Sequence, residues 1–257
     1  SMKSALITGA TAGIGAEYSR FLAEKGYNLI LVARDRKRLN ETAKELSKRY
    51  NVKTEVLVAD LSVPSQLKKV EQRVQDAKKP ISILVNNAGF GLNRAFSQSK
   101  LSDEADLLAV LVTAPMRLTH AALAPMTAAN SGTIINISSV ASWIAGGTYS
   151  AAKSYLTVLS ESLHTELKNT KVKIIAVCPG FTHTEFHQRG KMKMTGLPKF
   201  MWLTTKQVVE KSWADLNSGK AISVAGWQYK LLSFVARYAP RSIVRKVGMN
   251  VRRKQRS

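Results

Sequence analysis

Tyr149 and Lys153 are the two residues whose types and spacing are best suited to chemistry. Positions i and i+4 of a helix lie on the same face, so both side chains would project together. An isolated phenol has a pKa of about 10, and an adjacent ammonium group lowers it towards the range of a useful general acid or base. The same spacing is frequent on solvated helices, where lysine extends along the surface. The surrounding sequence therefore decides between the two interpretations.

The residues before this helix favour the chemical interpretation. An apolar run over Gly132–Ser138 predicts a strand, and the chain continues from Ser138 into Ser139. A hydroxyl at this strand end would lie beside the start of the next helix, close to Tyr149 and Lys153. The sequence thus predicts a tyrosine, a lysine and a serine in one site.

A glycine-rich turn after the first apolar run predicts a binding site for a dinucleotide. Residues 8–15 read Thr-Gly-Ala-Thr-Ala-Gly-Ile-Gly, with the glycine spacing Gly-x-x-x-Gly-x-Gly. Glycine permits a tight turn and a close approach of the backbone, and the N–H groups that begin the next helix can receive a pyrophosphate. A glycine triplet alone is weak evidence, but this one lies between a predicted strand and a predicted helix.

Short β-branched runs alternate with longer helical patterns, which is typical of βαβ units around a parallel sheet. We expect seven strands, over Ser4–Thr8, Asn28–Ala33, Lys53–Val58, Ile81–Asn86, Gly132–Ser138, Lys173–Cys178 and Ala221–Val224. We expect six intervening helices, over Ile14–Lys25, Arg36–Tyr50, Pro64–Lys78, Ser102–Asn130, Thr148–Lys168 and Thr205–Ser218. The pattern predicts an α/β fold with a doubly wound, seven-stranded parallel sheet.

The length of 257 residues and the hydrophobic content of 45% are sufficient for one substantial core. We expect residues 1–225 to form one dinucleotide-binding and catalytic domain. Residues 226–257 are predicted to form a basic, amphipathic helical extension, packed on or next to that domain, with two short helices separated by Pro240. The apolar segment Ala105–Met126 contains Asp106 and Arg117, so it is interpreted as a buried helix rather than a membrane span.

The charge is unusual for an enzyme that acts on small molecules: the net charge is +22, and residues 216–257 contain ten Lys and Arg but no Asp or Glu. On a helical wheel the end of the chain has an apolar face, formed by Ile243, Val244, Val247 and Val251, opposite a basic face, formed by Arg241, Arg245 and Arg252. Such a helix either contacts a membrane surface or covers the substrate cleft or a subunit interface. Because no recognition helix or aromatic RNA-binding motif accompanies the charge, no specific nucleic-acid partner is expected.

Cys178 is the only cysteine, which excludes an intramolecular disulfide, and the four scattered histidines lack the spacing of a metal site. We therefore expect no metal and a reducing, cytoplasmic compartment, with a membrane-peripheral location as the alternative. Met2 and Lys3 lead directly into a strand, so the start of the chain does not resemble a signal peptide.

Four elements in order resemble the short-chain dehydrogenase/reductase family, over roughly residues 3 to 225. They are the glycine turn, then Asn86-Asn87-Ala88-Gly89, then Tyr149-x-x-x-Lys153, then Pro179-Gly180 with Thr184. The resemblance implies a Rossmann-like fold and a nicotinamide-dependent oxidoreductase acting on alcohol and carbonyl groups. In it Tyr149 transfers a proton, Lys153 also binds the nicotinamide ribose, and Ser139 is the catalytic serine, because Ser139-Val140-Ala141 matches the family pattern.

The implied cofactor-binding residues comprise the glycine turn, the ends of four strands and the catalytic helix. They are Gly9, Thr11, Gly13, Ile14, Gly15, Arg34, Asp60, Leu61, Asn87, Ala88, Gly89, Tyr149, Lys153, Pro179, Gly180 and Thr184. At the end of the second strand, Arg34 favours NADP because it suits a 2′-phosphate, whereas Asp35 would accept from the ribose hydroxyl of NAD. Asp60 and Leu61 resemble the adenine-contacting pair of the family, and the alternative for Asp60 is the start of a helix.

Two positions depart from the family pattern. The interval from Ser139 to Tyr149 is about three residues shorter than the resemblance implies, estimated by matching motif positions. Leu111 stands where the family often has an asparagine, which holds a water in a proton relay to the active-site lysine. Leu111 implies a rerouted relay, a shifted register in the match or reduced activity.

We expect hydride transfer between NADP(H) and a lipophilic ketone, aldehyde or 3-oxoacyl thioester. The loops expected above the sheet are rich in apolar side chains: Phe90, Trp143, Ile144, Phe181, Phe186, Met192, Met194, Leu197, Phe200, Met201 and Trp202. About half of these would instead pack on the core or on a partner subunit. A nicotinamide-binding sensor, or a weakly active pseudo-enzyme, is the alternative function. The resemblance also implies a homodimer or homotetramer through the helices containing Leu107–Met126 and Tyr149–Leu167.

Overall fold

Seven parallel strands form one sheet in the computed structural model of this protein, which describes residues 3–92, 94–180 and 199–246. The strands are β1 (Ser4–Thr8), β2 (Asn28–Ala33), β3 (Thr54–Val58), β4 (Ile83–Asn86), β5 (Gly132–Ile137), β6 (Val172–Val177) and β7 (Ile222–Ser223). Their order across the sheet is β3-β2-β1-β4-β5-β6-β7. The winding reverses between β1 and β4, and open sheets of this kind bind ligands at the carboxyl ends of the strands beside such a point.

Helices cover both faces of the sheet. They are α1 (Gly13–Glu24), α2 (Arg36–Tyr50), α3 (Pro64–Val74), α4 (Leu101–Leu108), α5 (Ala114–Ala129), α6 (Thr148–Glu166), α7 (Thr205–Asn217) and α8 (Trp227–Tyr238). Alternating side chains of β1 show why both faces are apolar: Ala5 and Ile7 pack towards α1, α2 and α7, whereas Leu6 packs towards α3 and α5. The predicted doubly wound fold is confirmed, with most element ends within two residues of their predicted positions.

The long central helix differs from its prediction. We expected one helix over Ser102–Asn130, but a π-helical segment, Ala109–Thr113, separates α4 from α5. Pro115 has no N–H to donate to the carbonyl of Leu111 and its ring crowds that carbonyl, which accounts for the local widening. The segment Leu101–Ala129 is long and apolar enough to cross a membrane, yet half of its most apolar window is buried inside the protein. It packs on β4, β5 and α3.

Local capping accounts for the helix ends. The prediction for α2 was correct at both ends, because Asp35 accepts from the backbone N–H of Arg38 at 3.2 Å and Asn51 adopts the left-handed conformation with φ 54°. The prediction for α3 was too long, since it ends at Val74 rather than Lys78. There Asp76 accepts from the backbone N–H groups of Lys78 and Lys79, which forms a turn instead of continuing the helix.

The C-terminal extension contains the two expected helical segments, α8 and residues 241–246, on either side of Pro240. Within the expected apolar face at its end, Val244 is only 2% exposed and packs inside the protein, whereas Ile243 is half exposed. Part of the predicted apolar face is therefore buried within the monomer. Val247, Val251 and Arg252 lie outside the described residues.

Candidate functional site

The glycine turn closes onto the end of β4. Gly9 and Gly13 have φ of +63° and +57°, a conformation that side chains rarely adopt. A Cβ atom on Gly9 would lie 2.9 Å from Nδ2 of Asn87, and one on Gly15 would overlap the Gly9 carbonyl oxygen. The absence of side chains thus lets the turn pass directly over Asn87 and leaves the start of α1 accessible from the crevice.

The hydroxyl of Thr8 joins the ends of β1 and β4. Its oxygen accepts from the backbone N–H groups of Asn87 at 3.0 Å and Ala88 at 3.1 Å, while Nδ2 of Asn87 donates to the Gly9 carbonyl at 3.1 Å. Thr8 is buried, so these bonds are shielded from water. Sequence reasoning did not single out Thr8; the signal was a hydroxyl residue directly before the first glycine.

An extended cleft runs along the carboxyl ends of β1, β2, β3 and β4. Most of the cofactor-binding residues expected here line it: Gly9, Thr11, Gly13, Arg34, Asp60, Leu61, Asn87, Ala88 and Gly89. Ile14 is 1% exposed and belongs to the core, so its side chain supports the turn from below. Pro179 and Gly180 follow β6. Thr184 lies outside the described residues.

Two arginines and one aspartate follow β2 at the edge of this cleft. Asp35 is the N-cap of α2, so one of its oxygens already accepts a backbone N–H. Arg34 and Arg38 are exposed and line the cleft, and Nη2 of Arg38 donates to the carbonyl of Thr11 in the glycine turn at 3.2 Å. Sequence reasoning missed Arg38, whose position one helical turn after Arg34 was the available signal. The cleft edge therefore presents two guanidinium groups.

Asp60 organises the turn that leads into α3. Its Oδ1 atom accepts from the backbone N–H of Ser62 at 3.0 Å and from the hydroxyl of Ser62 at 2.7 Å. Both interpretations of Asp60 made from the sequence are compatible with this arrangement, because the same residue lines the cleft. Leu61 beside it is largely buried.

Lys153 lies inside the protein beneath Tyr149. Its side chain is 5% exposed, its Nζ atom donates to the carbonyl of Ile137 at 2.9 Å, and the same atom lies 5.7 Å from the centre of the Tyr149 ring. The last residue of β5 thus fixes the ammonium group under the tyrosine, as the i, i+4 spacing predicted. The structure therefore brings the two predicted residues together on one face of α6.

The two serines after β5 have different surroundings. Ser138 hydrogen-bonds to Thr157 at 2.6 Å and donates to the Lys153 carbonyl at 2.9 Å, so it belongs to the packing beneath α6. Ser139 begins a 3-10 turn over Val140–Trp143, and its oxygen accepts from the backbone N–H of Ala141 at 3.0 Å. The interval from Ser139 to Tyr149 therefore consists of this turn and a short connection, residues 144–147, before α6 begins at Thr148.

Cys178 lies under the same helix and is fully buried. Burial raises the pKa of its thiol to about 11, while the nearby hydroxyl of Thr157 and the Lys153 ammonium group lower it by less. Its thiol is therefore protonated near neutral pH and takes no part in acid–base chemistry. Among the described residues, no cluster of three His, Cys, Asp or Glu side chains could hold a metal.

Comparison with known proteins shows which family this sequence and fold match. A family model described as short chain dehydrogenase matches residues 3–194. The chain belongs to the short-chain dehydrogenase/reductase family. It is accordingly an NAD(P)-dependent oxidoreductase that acts on CH–OH and C=O groups.

Three similar proteins illustrate the relationship. Sulfoacetaldehyde reductase 2 of Chromohalobacter salexigens is 35% identical over 186 residues, covering 70% of this chain and 73% of that protein. Very-long-chain 3-oxoacyl-CoA reductase-A of Danio rerio is 27% identical, covering 99% of this chain and 79% of that protein. The solved structure of a short-chain dehydrogenase from Sphingobium yanoikuyae in complex with NADPH is 31% identical, with a TM-score of 0.81, covering 91% of this chain and 93% of that one.

Leu111 departs from the short-chain dehydrogenase/reductase pattern in the way that the sequence indicated. It lies in the π-helical segment, is 1% exposed and packs so closely on Gly89 that a Cβ atom there would lie 2.7 Å from its Cδ2 atom. Leu111 and Lys153 line the same small cavity, with room for roughly one water molecule. Leu111 therefore places an apolar side chain in the same cavity as Lys153, at the position where the resemblance implies an asparagine.

Glu104 is a buried acid near the short-chain dehydrogenase/reductase tyrosine that sequence reasoning missed. Its Oε1 atom accepts from the hydroxyl of Ser99 at 2.7 Å, whereas its Oε2 atom is buried with no hydrogen-bond partner, a situation found at no other side-chain atom of the described part of the chain. Glu104 and Tyr149 line a second cavity of about the size of one water molecule, together with Leu107 and Thr148. The available signal was the position of Glu104, three residues before Leu107 and so on the same face of α4 as this buried leucine.

The expected apolar lining of the substrate site is described only in part. Phe90 lines the cofactor cleft and Trp143 and Ile144 are partly exposed, whereas Met201 packs on the core and its carbonyl accepts from the Tyr229 hydroxyl at 2.5 Å. Trp202 is partly exposed. The other expected residues with no description of their surroundings are Phe181, Phe186, Met192, Met194, Leu197 and Phe200.

Proposed function

We propose that this oxidoreductase transfers a hydride between NADP(H) and the carbonyl carbon of a lipophilic ketone, aldehyde or 3-oxoacyl thioester, with Tyr149 as general acid and base. The observation that carries the proposal is the buried Lys153 ammonium group, fixed by the Ile137 carbonyl and 5.7 Å from the centre of the Tyr149 ring. Because this cation is buried rather than solvated at the surface, it acts on the neighbouring phenol, whose ionised form it stabilises.

The residues divide the proton chemistry among them. Tyr149 donates its proton to the carbonyl oxygen during reduction and removes it from the alcohol during oxidation. Lys153 stabilises the phenolate form, and the hydroxyl of Ser139 donates a hydrogen bond to the same substrate oxygen. When bound, the nicotinamide cofactor supplies or accepts the hydride.

The cleft fits a dinucleotide, since a Cβ atom at Gly9 or Gly15 would fill the space that the turn keeps open, and α1 begins directly beneath it. We propose NADP rather than NAD as the preferred cofactor. Asp35 is engaged as the α2 N-cap, and Arg34 and Arg38 provide positive charge beside it. The similar Sphingobium yanoikuyae enzyme was solved with NADPH.

Arg34→Ala tests the cofactor preference. Loss of a charge-assisted bond should raise the KM for NADPH by about 10- to 100-fold and change that for NADH little. Arg36→Ala is the matched control, since Arg36 is exposed but does not line the cleft. Equal effects on both cofactors would argue against a 2′-phosphate contact.

The substrate class is supported by the apolar side chains of the loops and by similarity to an enzyme named very-long-chain 3-oxoacyl-CoA reductase-A. A panel of ketones, aldehydes and 3-oxoacyl thioesters of increasing chain length, assayed with NADPH and with NADH, tests it. We expect kcat/KM to rise with chain length. Failure to turn over every medium- and long-chain carbonyl compound would reject the proposed class.

The same panel separates the enzyme from the alternative of a nicotinamide-binding sensor or weakly active pseudo-enzyme, which the apolar Leu111 at the relay position favours. Steady NADPH oxidation that Tyr149→Phe abolishes, with NADPH affinity retained, supports catalysis. Tight NADPH binding without turnover of any substrate supports the sensor.

We propose a homodimer or homotetramer formed through α4, α5 and α6, located in the cytoplasm or at the cytoplasmic surface of a membrane. Exposed apolar side chains on these helices support the assembly; they are Leu101, Leu108, Met116, Tyr155 and Val158. We also propose that residues 226–257 are an extension packed on a catalytic domain formed by residues 1–225. The burial of Tyr229 and Val244 supports the packing.

A further inference from the structure

The outward face of α8 has a composition that soluble helices rarely show. Leu231, Phe234 and Tyr238 are 58%, 61% and 69% exposed, and Val235 beside them is also exposed. At 100° per residue these four side chains lie within an arc of about 100°, and Trp227, the first residue of the helix, falls in the same arc. We call Leu231, Phe234, Val235 and Tyr238 the α8 stripe.

The opposite side of α8 is fixed to the body of the protein near the active site. Tyr229 is fully buried, and a Cβ atom on Gly180 would overlap its ring, so this ring lies against the Pro179-Gly180 turn that follows β6. The guanidinium group of Arg237 stacks at 5.2 Å on the ring of Trp143, in the turn between Ser139 and Tyr149. The helix therefore cannot rotate to bury its stripe without breaking these contacts.

The positive charges beside the α8 stripe indicate which kind of surface can bind it. Lys230 and Arg237 lie next to each other at one edge of the stripe, and Arg241 and Arg245 are exposed just beyond Pro240. Residues 216–257 contain no acidic residue, and the whole chain has a net charge of +22. Pairing of two copies through this face would bring these cations together without a carboxylate to neutralise them. An apolar stripe flanked by cations is instead complementary to anionic lipid headgroups above acyl chains.

We propose that α8 is an interfacial helix that docks this enzyme on anionic lipid bilayers through the α8 stripe. Phe234 and Tyr238, whose rings are 4.9 Å apart, enter the headgroup region together with Leu231, while the exposed Lys230 contacts the phosphates. Because α8 packs on the turn over Val140–Trp143, docking turns the active-site side of the enzyme towards the bilayer. The delivery of a lipophilic substrate from the bilayer rests on the proposed function, whereas the docking itself does not.

Co-sedimentation of the full chain with vesicles tests the docking. We expect binding to vesicles that contain phosphatidylglycerol, and binding at least about 10-fold weaker to pure phosphatidylcholine or at high salt. Leu231→Ser and Phe234→Ser should each weaken binding about 10-fold, because each removes one large apolar side chain from the interface. Leu232→Ser is the matched control: the same residue type, adjacent in the chain and about 100° away from Leu231 around the helix, should bind like the parent protein.

Three results would overturn the proposal. One is no binding to either kind of vesicle, and another is equal loss of binding in Leu231→Ser and Leu232→Ser. The third is a smaller oligomer for Phe234→Ser in light scattering without any vesicle binding by the parent protein, which would make the stripe a subunit interface. NADPH turnover of a water-soluble ketone without vesicles is measured in parallel. Turnover without docking contradicts only this inference, and docking without turnover contradicts only the proposed function.

Discussion

The catalytic helix α6 and the C-terminal helix α8 reverse the usual distribution of polar and apolar side chains in different ways. On its inner face α6 buries an ammonium group, Lys153, and the hydroxyls of Thr157 and Ser160. On its outer face α8 leaves Leu231 and Phe234 in solvent. Both arrangements are unusual, because burial of a charged group costs free energy and exposed apolar side chains forgo the free energy of burial. The two helices therefore differ in what they leave to be explained: α6 buries polar groups that hydrogen bonds within the protein satisfy, whereas α8 exposes apolar groups that no part of the described chain covers.

The largest expected effect is the loss of the buried cation of α6. Lys153→Met keeps most of the length of the side chain but removes its charge, so kcat/KM for carbonyl reduction should fall by roughly 10³-fold. Residual alcohol oxidation should shift to higher pH, because the phenol no longer has a cation to stabilise its ionised form. Steady-state rates across the pH range measure both effects. Tyr155→Phe, on the exposed side of the same helix, is the control, and activity equal to the parent in Lys153→Met would contradict the assignment.

The next effect concerns how firmly α8 is attached. Gly180→Ala places a methyl group against the buried ring of Tyr229, and overpacking of this kind should lower the free energy of unfolding by about 2–3 kcal/mol. Tyr229→Leu removes the ring, so the double variant should be more stable than the sum of the two single changes allows. Denaturant titration of all four proteins gives the coupling. Additive losses would show that the two residues do not support each other.

A smaller effect on the free energy of unfolding is expected when a buried hydroxyl is removed, and it should differ between α6 and α8. Thr157 forms hydrogen bonds with Ser138 at 2.6 Å and Ser142 at 2.8 Å, so Thr157→Val leaves both hydroxyls short of a partner and should cost about 1–2 kcal/mol. Ser233 in α8 donates only to the carbonyl of Lys230 in its own helix. Ser233→Ala should change the free energy of unfolding by less than about 0.5 kcal/mol. Equal losses in denaturant titration would remove this distinction between the helices.

The smallest effect tests the outer faces. Val158 on α6 is 58% exposed, as is Leu231 on α8, yet we assign the first to a subunit contact and the second to a bilayer. Val158→Asp should weaken self-association by about tenfold or more, since it places a charge in an apolar contact. Leu231→Asp should leave it unchanged. Light scattering over a range of concentrations measures both, and the opposite order would exchange the two assignments.

The sheet and most helices could be predicted because local pattern and global position agree. Runs such as Ala5-Leu6-Ile7 are apolar on both faces, which is typical of a parallel strand covered by helices on both sides. Asp35 likewise marks the start of α2, because it is the N-cap of that helix. The π-helical segment could not be predicted, because a proline inside an apolar helix is compatible with several distortions. The proximity of Tyr149 and Lys153 in α6 could also be predicted. Their spacing directly fixes a shared helix face.

The missed features depend on contacts between distant segments. Thr8 acts through backbone groups of β4, and Arg38 through the glycine turn, and neither contact has a local signature. The sequence predicted an apolar face at the end of the chain, where Val244 is buried. The spacing of Leu231, Phe234 and Tyr238 has an equally clear helical period, and these side chains are exposed. Which of two amphipathic segments faces outward is decided by tertiary packing.

Cys178 makes this protein convenient for spectroscopy. It is the only cysteine among 257 residues, its thiol is fully buried, and burial raises the pKa of this thiol to about 11, well above neutral pH. A maleimide reagent therefore leaves it intact. A single cysteine introduced along α8 can then be labelled selectively, with no need for a cysteine-free background, and a fluorescent or spin label there reports the depth of each position in a lipid headgroup layer.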